Sequence, residues 1–350
     1  MNCQVQSGVV KTIADYKQRQ ELTVLVGQKL TKAINFPALT GRCKVEDQVI
    51  LNTTAVALQL GTGGEHFVMA IVDRDVEFAG AGHIMKVRYT PSQGRVLSVE
   101  EPASPYHTVM QQAETIAGLP VIVGSLHSML GPVCLAFNQI APAKKLVYLM
   151  SDGAALPIGL SRLVECLQDR GLVSDTITFG HAFGGDLEAV NIFSALLAAK
   201  HVCKADAAVV LMGPGIVGTN TTWGTTAVEQ GVFLNAVQTL GGLPIGLLRV
   251  SFAEGRSRHQ GISHHSLTSL TNITECSCSL PLPKALQAEP IIQEQLALLS
   301  QHEVKYMDTA LYEYLLNTPD IPLKSMGRTP TDDPHFFGTA LASGMLAAGS

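Results

Sequence analysis

The sequence contains no apolar run approaching the roughly 20 residues that a bilayer-spanning helix needs, which excludes a helical membrane protein. It also lacks any concentration of charge of one sign. Only 15% of the 350 residues are charged, the net charge is -5, and Lys and Arg are scattered, so no basic stripe is offered to nucleic acid. The opening MNCQVQSGVV shows no basic segment leading into an apolar core, and the chain is therefore expected to be cytoplasmic. Cysteines are few and odd in number, seven in all, and Cys134, Cys166 and Cys203 fall within apolar helical patterns as buried thiols do. A disulfide framework is not expected. Cys276 and Cys278, alternating within an expected strand, point to one side, where packing is a simpler role than metal binding. Internal repeats and low-complexity segments are absent, which excludes solenoids and arrays.

What is present is apolar: 46% of the residues are hydrophobic, enough for a large core and for two domains. Residues 1–101 carry β-branched runs at Glu21–Val26, Gln48–Leu51, Ala55–Leu60 and His66–Val72, separated by Gly, Asn and Asp. That pattern predicts a small, mostly antiparallel β domain with turns at Leu60–Phe67 and Ala79–Pro91, followed by His66 and His83. The proline-rich Glu100–Tyr106 reads as the linker. Residues 102–350 then alternate short apolar runs with helical patterns. Strands are expected at Pro120–Gly124, Lys145–Met150, Thr176–Gly180, Ala207–Met212 and Pro244–Ser251, and helices at Gly131–Ile140, Ile158–Arg170, Glu188–Cys203 and from about Thr226. Such alternation predicts a mainly parallel, doubly wound α/β sheet. The tail adds strands near Cys276–Leu282 and Val304–Met307 and helices near Glu289–Gln301 and Thr309–Leu316. Its final Ala- and Gly-rich segment predicts a close-packing helix, against the body or against a second subunit in a homo-oligomer.

Each predicted strand runs into small or polar residues at its carboxyl end, where open α/β sheets bind ligands. Ser125 and His127 follow the first, Ser151, Asp152 and Gly153 the second, His181, Gly184, Gly185 and Asp186 the third. The fourth leads into GPGIVGTNTTWGTT, with Gly213, Gly215, Gly218 and Gly224 among five threonines. Glycine lets backbone approach a ligand closely, and a helix start favours an anion, so Gly213, Gly215, Gly218, Thr219, Asn220 and Thr225 are candidate ligand contacts. The spacing of Gly213, Gly215 and Gly218 matches the dinucleotide fingerprint, yet Pro214 stiffens it and the next strand ends in Ser251 rather than an acid.

The fifth strand leads into VSFAEGRSRHQGISHHSLT. Arg256 and Arg258 suit a phosphate or carboxylate, with His259 and His265 beside them. His264 and His265 are adjacent, and in an extended segment would face opposite ways, so that both do not readily meet one metal. His127, Asp152, His181, Asp186 and one of that pair offer ligands for zinc, manganese or iron without the tight spacing of a zinc motif. Otherwise His181 or His264 serves as acid or base, oriented by Asp152 or Glu188. Ser151 lacks the G-x-S-x-G elbow of a serine hydrolase.

LGTGGEHF, GHAFGGDLEAVN, MGPGIVGTNTTWGTTAVEQG, SRHQGISHHSLT and the late SMGR resemble an uncharacterised bacterial family, the domain of unknown function DUF3866, over nearly the whole chain. The resemblance implies a bacterial cytosolic protein and assigns no catalytic residue. The residues themselves predict an enzyme acting on a small phosphorylated or nucleotide-like anion between the domains. A catalytic set of His181, Asp152, Glu188, His127 and His264 is expected, with a dinucleotide or a divalent metal as the open choices of cofactor. An NADP- or flavin-dependent oxidoreductase and a nonenzymatic ligand sensor are the alternatives.

Overall fold

The alternation at the start of the chain closes on itself. In the computed structural model, which describes residues 2–60, 64–77, 80–318 and 320–350, five strands form a closed barrel: β1 (Val5–Asp15), β2 (Gln20–Val26), β3 (Lys29–Asn35), β4 (Gln48–Asn52) and β5 (Glu65–Ile71). They are joined in the order β1-β2-β3-β5-β4, with β3 and β5 parallel and the other pairs antiparallel. Inward residues such as Val10, Leu22, Val24, Val49 and Leu51 fill it. Ala55–Leu60 opens with a helical turn, Thr54–Ala57, rather than a strand. There Ala57 and Leu58 amides bond back to the Thr53 and Thr54 carbonyls, and two alanines suit the tight bend between β4 and β5. The turns expected at Leu60–Phe67 and Ala79–Pro91 fall partly outside the described residues. A ribbon of β6 (Ile84–Lys86) and β7 (Gly94–Val96) completes a first unit ending at Val96.

The second unit, Leu97–Ser350, is built on eight parallel strands. These are β8 (Pro120–Val123), β9 (Leu146–Ser151), β10 (Asp175–Phe179), β11 (Leu187–Ala189), β12 (Ala207–Met212) and β13 (Leu243–Gly246), then, after an antiparallel ribbon of β14 (Val250–Ser251) and β15 (Gly261–Ile262), β16 (Ser279–Pro283) and β17 (Glu303–Met307). Their order is β11-β10-β9-β12-β8-β13-β16-β17. The central strands are buried at every position, and apolar but for Ser151 at the end of β9, because both faces are covered. Val121, Val123, Val147 and Leu149 face one layer; Ile122, Leu146, Tyr148 and Met150 face the other. Helices α1 (Leu130–Ile140) and α2 (Arg162–Asp169) cover the second face. Helices α3 (Ile192–His201), α4 (Glu229–Thr239), α5 (His264–Asn272) and α6 (Pro290–Ala297) cover the first, and α7 (Pro334–Gly349) returns to the second. The sheet is doubly wound, as its alternation predicts.

In the second unit Cys276 and Cys278 precede β16 rather than alternating within a strand, and two further elements differ from expectation. Glu188 does not open a helix; Leu187–Ala189 is a parallel edge strand. The chain reverses after β10 within a few residues, because Gly180 and Gly184 adopt φ of +66 and +91 and Gly185 has no side chain where one would lie 2.8 Å from the Thr178 amide nitrogen. Helix α3 starts only after Asn191, whose side chain caps the Phe193 and Ser194 amides. The run Pro244–Ser251 is likewise two elements, since β13 ends at Gly246 and Val250 turns away to pair with Ile262. The C-terminal helix packs within its own chain: a Cβ on Gly344 would stand 2.3 Å from the Val133 carbonyl of α1, a contact that only glycine allows.

Neighbouring strands β9 and β12 send their connections to opposite sides, β9 towards β10 and β12 towards β13. At such a switch point open α/β sheets have their ligand crevice, outside the carboxyl ends of the strands.

Candidate functional site

The crevice is lined first by the loop after β9. The buried Ser151 hydroxyl donates to Glu229 Oε2 at 3.0 Å, and Asp152 Oδ2 accepts from the His181 amide at 2.7 Å. Gly153 lies against that carboxylate, and a Cβ there would meet Glu229 Oε2 at 2.5 Å unless the Glu229 side chain moved. Burial, reinforced by the Asp152 charge, raises the Glu229 carboxyl above the ordinary range, while the Ser151 hydroxyl acts the other way. The next residue, Gln230, donates through Nε2 to the Val123 and Leu247 carbonyls at 2.8 and 2.9 Å. The first turn of α4 is thus fastened to β9, β8 and the end of β13.

The glycine loop arches from β12 across this rim. Gly213 touches the β9 loop so closely that a Cβ would be 2.4 Å from the Ala155 carbonyl, and Ala155 N donates to Pro214 O at 3.0 Å. Gly215 takes φ +108. The loop does not pass straight into a helix as the fingerprint spacing suggests. It folds into a hairpin in which Gly218 bridges Thr225, Thr219 N donates to Gly224 O at 2.8 Å, and Thr221 Oγ1 accepts from Gly224 N at 3.0 Å. Thr225 then caps Ala227 N at 3.2 Å in a short 3-10 turn, and α4 begins at Glu229, where an acidic side chain already occupies its first turn.

The far end of the hairpin rests on a histidine and arginine cluster. A Cβ on Gly218 would meet His265 Cε1 at 2.9 Å, so backbone lies directly on the imidazole. At the tip Asn220, with φ +63, accepts from Arg258 Nη1. Ser263 accepts from His265 N at 3.3 Å and starts α5, which sets His264 and His265 in the first turn with ring centroids 4.2 Å apart. His259, in a short 3-10 turn between β14 and β15, stands 5.0 Å from each, and its Nδ1 lies 2.7 Å from Ser263 Oγ. Burial is the first cause holding the three imidazoles neutral: His259 falls to about 3 and His265 to about 4, with Arg249 next in effect on the former and His264 on the latter, and His264 is lowered by burial and Arg258. Among the described residues, these three form a grouping whose donor atoms all lie within 4.8 Å of one another, as a metal would require.

Behind the imidazoles, Glu254 collects arginines. Arg256 bonds it through Nε and Nη2 at 3.0 and 2.8 Å, Arg249 at 3.2 Å, and Arg328 at 3.6 Å. The Arg256 hydrogen bonds, against some burial, hold the Glu254 carboxyl down to about 2. Arg328 also meets Asp333 at 3.1 Å, and Asp333 accepts from Ser251 at 2.7 Å. Three guanidinium groups meet two carboxylates, and with Arg258, which bonds Asn220, the cluster holds excess positive charge.

The structure therefore brings Asp152 and His181 together at one end of the rim, and Arg258, His259, His264 and His265 at the other, joined by the loop that holds Gly213, Gly215, Gly218, Thr219, Asn220 and Thr225. The expectation that His264 and His265 face apart is corrected: a helix start, not an extended strand, carries them. Arg256 is engaged with Glu254 rather than free for a ligand. Glu188 holds the β10 reversal, accepting from Thr178 Oγ1 at 2.8 Å and Gly184 N at 2.7 Å. Asp186 sits at the amino end of β10, accepting from Thr176 N and Oγ1 at 2.8 Å, far from a rim ligand set. His127 has both ring nitrogens engaged, by Tyr148 OH at 3.1 Å and Ser161 Oγ at 2.6 Å, and burial lowers it to about 4. Cys278 Sγ contacts His302 Nδ1 at 3.3 Å in the core, and burial pushes the thiol up to about 12. Sequence reasoning missed Glu229, Gln230 and Arg249; the acid in the first turn of the helix after a central strand was the available signal for the first two.

The comparison with curated proteins gives no match. A family model described as a protein of unknown function, DUF3866, matches residues 32–344. With the match covering the whole parallel sheet and the barrel from within β3 onward, the protein belongs to the DUF3866 family.

Proposed function

We propose that the carboxyl rim of the parallel sheet binds a small phosphorylated or nucleotide-like anion and acts on it as an enzyme. The observation that carries this is Arg258. Its Nε is buried with no acceptor, in a cluster where positive charge exceeds negative, beneath a loop whose glycines bring backbone close. A half-buried guanidinium whose Nε lacks an acceptor is suited to a bidentate anion. Hydrogen-bonded to Ser151 and with its proton retained to higher pH, Glu229 is suited to general-acid work.

Calorimetric titration with inorganic phosphate, pyrophosphate and adenosine monophosphate tests the binding. Arg258→Ala is expected to weaken the preferred ligand by about 10- to 100-fold, the range for loss of one charge-assisted bidentate contact. Affinity unchanged in a folded variant, or no binding of any of the three to the parent chain, would overturn the proposal. For turnover of the preferred ligand, Glu229→Gln is expected to lower kcat with Kd retained.

A further inference from the structure

We infer that His259, His264 and His265 form a metal centre that takes one divalent ion of the imidazole-preferring class, zinc first, with coordination positions left open. The strongest observation is an unmet need. His265 is 5% exposed, and both of its ring nitrogens are buried without a hydrogen-bond partner; His264 Nε2 is buried and unpartnered as well. Buried polar atoms almost always find partners, and an imidazole with neither donor nor acceptor satisfied lacks what a metal supplies to its lone pair. Two neighbouring rings showing the same lack, with a third beside them, make a set rather than an accident of one side chain.

The local fold explains how this set arises. Ser263 caps α5 and so fixes His264 and His265 on the same turn. The same hydroxyl lies 2.7 Å from His259 Nδ1; with that nitrogen donating to Ser263 Oγ, the Nε2 lone pair is left for a ligand bond, the outer-shell arrangement common to metal-binding histidines. Donor atoms lie within 4.8 Å of one another, against the about 3.3 Å separating nitrogens on a tetrahedral zinc with bonds near 2.0 Å. Binding a single ion would require the rings to turn towards one another by that difference. Three imidazoles without a fourth protein ligand match an open, reactive site rather than a closed structural one.

The surplus of guanidinium charge opposes a cation standing alone. It favours an anion sharing the site, bound at an open metal position and by Arg258. This second step rests on the function proposed above, whereas the metal centre stands on the imidazole geometry alone.

The test uses the full chain, stripped with chelator, loaded with zinc or cobalt(II) and desalted before elemental mass spectrometry. One ion per chain is expected, with cobalt giving ligand-field bands and no thiolate charge-transfer band. Both His265→Ala and His259→Ala should reduce retention at least 10-fold with circular dichroism unchanged, while His302→Ala, at the Cys278 contact, retains the ion. No retained ion in the parent chain, retention in a folded His265→Ala variant, or a thiolate band abolished by His302→Ala would overturn the centre. Should a variant fail to fold, the cobalt spectrum of the parent chain still decides between imidazole and thiolate ligands. Inorganic phosphate is expected to shift the cobalt bands; bands unmoved by phosphate at saturating metal would overturn the shared anion and leave the metal centre standing.

Discussion

Single side chains in this chain serve at once as fasteners and as candidates for chemistry, and their partners separate the two roles. His127 follows a central strand and looks catalytic in sequence, yet Tyr148 and Ser161 occupy both of its nitrogens. Its depressed pKa, about 4 against 6.5, has a consequence for stability. The unfolded chain takes up the proton first as pH falls, so this stabilisation is whole above about pH 6.5 and is lost between there and pH 4. His127→Gln is expected to lower the midpoint of chemical unfolding at pH 7, since Ser161 or Tyr148 loses a partner, but to shrink the further fall on acidification to pH 5. An undiminished acid fall in the variant would show that His127 titrates as it does in the unfolded chain. The adjacency of His264 and His265 was legible, but its meaning was not, because the cap at Ser263 decides between strand and helix and so between opposed and convergent rings.

At the scale of elements, the glycine loop shows that two glycines in one motif answer different needs. Gly213 leaves room for the Ala155 carbonyl at what would be 2.4 Å from a Cβ, whereas Gly215 has nothing within 4 Å and needs only its positive φ. Gly213→Ala should therefore displace backbone and reduce stability by roughly 2 kcal/mol or more, and Gly215→Ala by about 1 kcal/mol, the range for a single strained residue. Urea denaturation of the two variants checks the order, and equal losses would count against the close approach of the β9 and β12 loops. Most strands and helices were readable from apolar runs and 3.6-residue spacing. The edge strand β11 was not, because a three-residue strand carries no periodicity and its signal was the glycine-rich reversal before it. The helix expected from about Thr226 does open there, as a 3-10 turn leading into α4, but the hairpin that threonine side chains close ahead of it was not readable from the glycine spacing.

For the molecule as a whole, each unit has its own apolar interior. The barrel encloses Val10, Val24, Val49 and Leu51, and among the described residues the two layers over the parallel sheet draw on residues from Val99 onward. A fragment comprising residues 97–350 is expected to unfold in one cooperative transition, followed by circular dichroism against urea. A broad, non-cooperative melt would mean that the second unit depends on residues before Leu97. The class of fold was legible because fully buried parallel strands are apolar throughout, and the carboxyl rim was legible because polar residues gather only where those runs stop. What composition cannot convey is rigidity. Glu229 and Gln230 bolt the first turn of a helix to three strands, so the floor of the crevice has almost no freedom to part around an arriving molecule. Whatever accommodation a guest requires must then come from above, through the arching hairpin and the arginine-bearing segment beside it, and amide hydrogen exchange on binding should slow in those two stretches while the strand ends keep the protection they already had.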